Sequence, residues 1–188
     1  RPFHWDEARV GYWALRYLET GTFRYRPVAG GPLLYHLDRI AFAALGVSER
    51  VARLPVALVS AALPLTALLF RDRLDRAETV ALSILLATQP VIVYYSRFLR
   101  GDVLLAGFGL AAVGFVLRAW DRRSRLDAYA AGVAVPLAAS ASGFVVGYLA
   151  CWVGAWFLVV DKRRVAADGR AGMRAHVAAL RRRLTRNA

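Results

Sequence analysis

The chain has 188 residues, 58% of them hydrophobic, with 26 basic and 13 acidic side chains and a formal net charge of +13. A soluble globular domain is about 45–50% apolar, so an apolar chain with its charges in short clusters is neither disordered nor an ordinary soluble enzyme. A single cysteine, Cys151, excludes an internal disulfide framework and a cysteine-rich metal site. No signal-like segment precedes the first motif, and the sequence reads as an internal piece of a longer membrane protein.

Residues 1–50 carry five acids and hold no continuous span. His4-Trp5-Asp6-Glu7-Ala8 opens a helix that runs through Tyr12 and Leu18. Gly30-Gly31-Pro32 marks a turn. The stretch Leu33 to Leu45 is interrupted by His36, Asp38 and Arg39, but Leu33, Leu37, Ile40 and Ala44 share one face. That pattern predicts an interfacial amphipathic helix in a first outer loop.

Beyond residue 50 the uncharged runs are Leu54–Phe70, Thr79–Ser96, Val103–Leu117 and Ala128–Val160. A helix needs roughly 20 apolar residues to cross the hydrocarbon core, with about 17 as a lower end. The first two runs reach that limit, and the third does so if Arg118 snorkels and Trp120 sits at the interface. The last run is too long for one span, and Ser140-Ala141-Ser142-Gly143, shortly after Pro136, is the expected break. The reading is an all-α, polytopic transmembrane helical bundle with spans near 51–70, 78–96, 102–120, 127–142 and 143–160.

Charge sets the expected orientation. Seven arginines (Arg71, Arg73, Arg76, Arg118, Arg122, Arg123, Arg125) fall in the loops on one side, and Arg97 and Arg100 in the loops on the other. The positive-inside rule puts the richer side in the cytoplasm. The tail 161–188, with nine basic residues, follows by parity. Residues 1–50, the 97–102 loop and the 140–143 hinge are then extracytoplasmic. In the tail Met173, Val177, Leu180 and Leu184 alternate with arginines, which reads as an amphipathic helix on anionic lipid. Nucleic-acid binding is the weaker alternative, because the stripe is short and lacks an aromatic to stack a base.

Two clusters on the outer side carry candidate chemistry. Asp6 and Glu7 point to different faces of a helix, so one can act as general base on an acceptor hydroxyl while the other orients it. Their alternative is a solvated helix start in which both meet the N-terminal dipole, and on the dipeptide alone that reading is preferred. The second cluster is Tyr94-Tyr95-Ser96-Arg97-Phe98-Leu99-Arg100-Gly101-Asp102. Arginines in an outer loop run against the positive-inside trend, and guanidinium groups at headgroup level suit a phosphate. Asp102 either pairs with one of them or caps the next helix. Tyr94 and Tyr95 read first as interface-belt aromatics.

The remaining groups are weaker. His4 is near enough to Asp6 to orient it, and His36 is a second acid–base candidate or a headgroup-level polar residue. His176 lies on the inner side. A metal site from His4, Asp6 and Glu7 has suitable residue types but no established ligand spacing. Cys151, inside an apolar run, reads as a small buried hydrophobe.

Three ordered blocks carry a resemblance over roughly residues 1–160. HWDEA with YWALRYLETGTFRY, the stretch GGPLLYHLDRIAFAALGVSERVARLP, and YYSRFLRGDVLLA resemble the archaeal flippase activity-associated family. That family sits within glycosyltransferase family 39, similar to the dolichyl-phosphate-mannose protein mannosyltransferases of the GT-C fold. The resemblance implies a multi-pass plasma-membrane transferase that takes a sugar from a polyprenyl-phosphate carrier, with its active site on the extracytoplasmic face. It assigns Asp6 the role of base with Glu7 beside it, Arg97 and Arg100 contact with the donor phosphate, and Asp102 positioning. His4 and Tyr95 are accessory candidates.

Partners implied are the polyprenyl-phosphate-linked sugar, membrane lipids, and glycosylation or flippase machinery, with no nucleic acid. No cofactor beyond the donor substrate is assigned, and a divalent cation stays open. One departure bears on activity. Relatives commonly carry a lysine in the hinge after the next span, whereas Ala139–Phe144 here has no charge. The alternatives are therefore a non-catalytic, flippase-associated protein that binds lipid-linked sugars, and an amphipathic-tailed membrane scaffold.

Overall fold

A computed structural model describes residues 3–26 and 30–159. Among them the chain is helical, with no strand, as the apolar runs require. In chain order the helices are α1 (Trp5–Thr20), α2 (Pro32–Leu45), α3 (Glu49–Ala62), α4 (Arg76–Thr88), α5 (Pro90–Tyr95), α6 (Asp102–Arg122), α7 (Arg125–Ala141) and α8 (Val145–Val159). A 3-10 segment, Leu63–Phe70, continues α3. The chain forms two compact units, residues 1–145 and 146–188. Helix α8 is the described part of the second. The amphipathic helix expected in the basic tail lies outside the described residues.

Helix ends follow local chemistry. Helix α1 stops at Gly21, whose φ of 66° is left-handed and whose N–H bonds the Tyr17 carbonyl. Helix α2 starts at Pro32, a position where the missing N–H costs nothing. Ser48 caps α3. Asp75 and Glu78 form a reciprocal capping box on α4, with bonds of 2.8 and 2.9 Å.

Among the described residues two segments are long and apolar enough to cross a membrane, Glu49–Phe70 and Asp102–Arg122, with mean hydropathy 1.8 and 1.9. They coincide with the expected spans near 51–70 and 102–120. The run expected as one span at 78–96 is instead α4 and α5, separated at Gln89. Pro90 disfavours the helical region for the residue before it, and Gln89 accordingly has ψ of 115°. Helices α7 and α8 are separate, with the break at Ser142–Phe144, which overlaps the expected hinge at 140–143, and they count as a third span only if taken as one broken pair. Pro136 lies inside α7 without ending it.

The core of the first unit joins α1 (Val10, Ala14), α2 (Leu34, Tyr35, Phe42), α3 (Ala52, Val56), the segment before α6 with its first turn (Leu99, Val103, Leu104), and Ala141 at the end of α7. Helix α2 has a protein-facing side distinct from the Leu33, Leu37, Ile40 and Ala44 face. Its buried side is Leu34, Tyr35, Asp38 and Phe42, while Ile40 is 63% exposed and Leu33 and Leu37 are partly buried at the edge. Cys151, expected to be buried, is exposed on α8.

Small residues bring the long helices close. A Cβ on Gly107 would stand 2.6 Å from Val59, and one on Gly114 would stand 2.6 Å from Leu69. Ala131, Ala134 and Ala138 form the buried stripe of α7. At the opposite end from α1, Arg73 forks onto Asp121 at 2.8 and 2.9 Å, and Arg122 onto Asp72 at 2.5 Å. Arg118 lies 3.6 Å from Asp127. Several arginines that read as an orientation signal are therefore also paired, tying the end of α6 to the turn before α4 and to the start of α7.

Candidate functional site

The start of α1 and the 94–102 segment, far apart in sequence, meet in space. A cavity of about 180 Å³ is lined by His4, Asp6, Glu7, Tyr94, Tyr95, Phe98 and Arg100. Packing accounts for the meeting: Leu99 and Val103 insert beneath α1 beside Val10 in the core.

The two adjacent carboxylates have opposite surroundings. Glu7 is 1% exposed and its oxygens are fully engaged. One accepts from Arg53 Nε at 3.0 Å and from the Leu99 N–H at 2.9 Å. The other accepts from the His4 N–H at 2.9 Å and from the Arg53 terminal nitrogen at 3.2 Å. Burial pushes this carboxyl up, but the Arg53 fork and the two backbone amides together outweigh it and hold Glu7 below its ordinary value. Glu7 thus joins α1, α3 and the segment before α6. Asp6 makes no hydrogen bond or ion pair among the described residues and faces the same cavity.

In the same cavity Arg100 is held from two sides. Its Nε lies 3.0 Å from Asp102 Oδ2, and its guanidinium carbon sits 5.4 Å from the Tyr95 ring centre. Asp102 is the first residue of α6, after Gly101 as N-cap, so it pairs with Arg100 rather than capping the helix. Tyr94, Tyr95 and Phe98 form one aromatic cluster with ring centres 4.9–6.0 Å apart. Tyr95, an accessory candidate, therefore has a position in the cavity, and so does His4.

Arg97 sits elsewhere: it is exposed and does not line the cavity. The uncharged hinge has a structural role. The Gly31 N–H donates to the Ala141 carbonyl at 2.7 Å, and a Cβ on Gly101 would collide with that same oxygen. Close backbone packing thereby ties the end of α7 to the turn before α2 and to the residue that precedes Asp102. Among the described residues no group of three or more His, Cys, Asp and Glu side chains is placed to hold a metal ion, and His4, Asp6 and Glu7 do not form one.

Arg53 had no assigned role in the sequence reading. Its signal was weak: a cation at the head of the apolar run that begins at Leu54 either snorkels to the interface or pairs with a carboxylate, and here it pairs.

Comparison with known proteins places the chain in a family. The family model described as dolichyl-phosphate-mannose-protein mannosyltransferase matches residues 27–180. The match contains Arg53, Arg97, Arg100 and Asp102, begins after α1, and runs past residue 160, where the sequence resemblance ended. No curated protein and no solved structure matches the chain.

Proposed function

Since the chain belongs to the dolichyl-phosphate-mannose-protein mannosyltransferase family, a family of membrane glycosyltransferases, we propose that it moves a sugar from a polyprenyl-phosphate carrier onto a hydroxyl acceptor at the extracytoplasmic face. Within the family we place it with the archaeal flippase activity-associated branch, on the strength of the HWDEA and YYSRFLRGDVLLA blocks.

One observation carries the reading: a free carboxylate, Asp6, and a braced guanidinium, Arg100, line the same cavity. Asp6 takes the acceptor hydroxyl proton as the oxygen attacks the anomeric carbon. The bond from that carbon to the phosphate oxygen breaks, and Arg100 stabilises the departing phosphate anion. Asp102 and Tyr95 keep the guanidinium aimed. Glu7 is a positioning residue, because all its acceptor capacity is spent on Arg53 and two backbone amides. Exposed Arg97 is available to lipid phosphate outside the cavity.

The second reading, a non-catalytic protein that holds lipid-linked sugars, is favoured by the absence of charge in Ala139–Phe144. Labelled polyprenyl-phosphate sugars presented to the protein in membranes separate the two. The transferase reading expects donor turnover that disappears in Asp6→Asn while donor binding persists, and weaker donor binding in Arg100→Gln. Binding without turnover in the native protein and in Asp6→Asn alike refutes it in favour of the second.

A further inference from the structure

A second cavity, of about 280 Å³, lies against the C-terminal half of α1 and the segment that follows it. It shares no residue with the cavity at Asp6. Its walls are the rings of Tyr12, Trp13 and Tyr17, the side chains of Arg16 and Arg24, and two threonines. Neither arginine has a carboxylate within ion-pair distance among the described residues, and Glu19, the single acid in residues 12–26, makes no ion pair. Two further arginines border the same region. Arg26 stacks over Trp13 at 5.1 Å, and Arg39 over Tyr17 at 4.6 Å. Positive charge is therefore concentrated around an aromatic hollow, with no carboxylate in ion-pair contact with Arg16 or Arg24 among the described residues.

Guanidinium groups are matched by the paired oxygens of a phosphate, and the exposed face of α1 indicates where that phosphate comes from. Trp5, Arg9, Tyr12 and Arg16 are spaced at i, i+4, i+7 and i+11, which puts them on one side of the helix. All four are exposed, Trp5 at 73% and Tyr12 at 56%. A stripe of exposed aromatics and arginines is the composition of a surface that lies at lipid headgroup level.

We propose that this cavity binds the phosphodiester headgroup of an anionic membrane lipid, with Arg16 and Arg24 on the phosphate and the exposed aromatic stripe against the glycerol and upper acyl region. Bound lipid fixes the C-terminal half of α1 at the interface, and with it the helix whose first turn carries Asp6.

Native mass spectrometry of the detergent-solubilised protein titrated with phosphatidylglycerol or phosphatidylcholine tests this. The native protein is expected to retain phosphatidylglycerol in preference to phosphatidylcholine. The double variant Arg16→Gln/Arg24→Gln should lose that affinity by about tenfold or more, which is about 1.4 kcal/mol per decade. Arg71→Gln/Arg123→Gln removes the same charge away from the cavity and should not. Arg16→Lys/Arg24→Lys, which keeps charge but loses the fork, should fall between. Equal loss in both glutamine pairs attributes retention to net charge and overturns the proposal. Displacement of the lipid by an equal concentration of glycerol phosphate assigns the cavity to a soluble phosphate and overturns it as well. Neither outcome bears on Asp6, so this site and the catalytic reading fail separately.

Discussion

Removing the charge of Glu7 is the most informative perturbation of the first unit. In Glu7→Gln the amide oxygen replaces only one of the two acceptors, so the His4 amide, the Leu99 amide and Arg53 compete for a group that satisfies one or two of them. The Arg53 side chain is 16% exposed, so water reaches it only partly. Breaking a buried ion pair by removing one partner costs about 3–5 kcal/mol, and the residual exposure of Arg53 puts the expected loss at the lower end, about 3 kcal/mol. Arg53→Gln should cost a similar amount. Because both changes abolish the same interaction, the double variant should be far less destabilised than their sum, with a coupling of about 1–3 kcal/mol.

The assay is unfolding of the protein in detergent for wild type, both single variants and the double variant. The pH dependence supplies a second readout. The Glu7 carboxyl is held below its unfolded value of 4.5. Its contribution is therefore present above that pH and lost as pH falls through the lower folded value, so Glu7→Gln should flatten this acid limb. Turnover should fall too, since the Leu99 amide is the direct link from Glu7 to the segment bearing Arg100. Strict additivity in the cycle, or an unchanged acid limb, would refute the claim that Glu7 and Arg53 form the clamp beneath the site.

Three other outcomes follow from named contacts. Asp38 on α2 is fully buried with both carboxylate oxygens unpartnered among the described residues, and burial pushes its carboxyl well above 3.8. Asp38→Leu should stabilise the protein by about 1–3 kcal/mol near neutral pH. That advantage should shrink as pH falls toward 3.8, because a raised folded value means the acid is tolerated only when protonated. Gly101→Ala places a methyl group against the Ala141 carbonyl and should lower turnover by shifting Arg100, with donor affinity as the direct check. Arg73→Ala, by contrast, removes a well-aligned but exposed pair with Asp121, and a melting comparison should find less than about 1 kcal/mol.

How much of this was legible in the sequence differs from element to element. Apolar run length located α6 and the α3 segment, since a lipid-facing helix must be apolar on nearly every side. The same rule merged α4 with α5, because hydropathy registers Pro90 as one more apolar-compatible residue and not as a backbone constraint on Gln89. On α2 the apolar pattern located the Leu33, Leu37, Ile40 and Ala44 face, but it did not find the protein-facing stripe of Leu34, Tyr35, Asp38 and Phe42, because a carboxylate in a stripe hides it from a search for apolar residues.

The site tested a harder limit. Residue type and expected outer-side placement brought Asp6, Glu7, Arg97, Arg100 and Asp102 forward as candidates, and the resemblance named Asp6 as base, but neither gave a physical reason to divide the two neighbouring carboxylates between chemistry and support. Asp6 and Glu7 are neighbours of the same charge on one helix turn, and no property of the dipeptide separates them. What separates them is Arg53, brought to Glu7 because α2 packs on both α1 and α3, and the Leu99 amide, which reaches Glu7 as Leu99 and Val103 are buried in the core. A helix advances about 100° per residue, so once one carboxylate is turned inward to that clamp the other is directed off it, here at the cavity that Arg100 also lines. The free carboxylate at the cavity is thus a consequence of its neighbour's burial. Exchanging the pair, as Asp6→Glu/Glu7→Asp, should confirm the order of dependence: the shortened residue at position 7 loses reach to Arg53 or Leu99, and stability should fall before any effect of the longer acid at position 6 on turnover can be read.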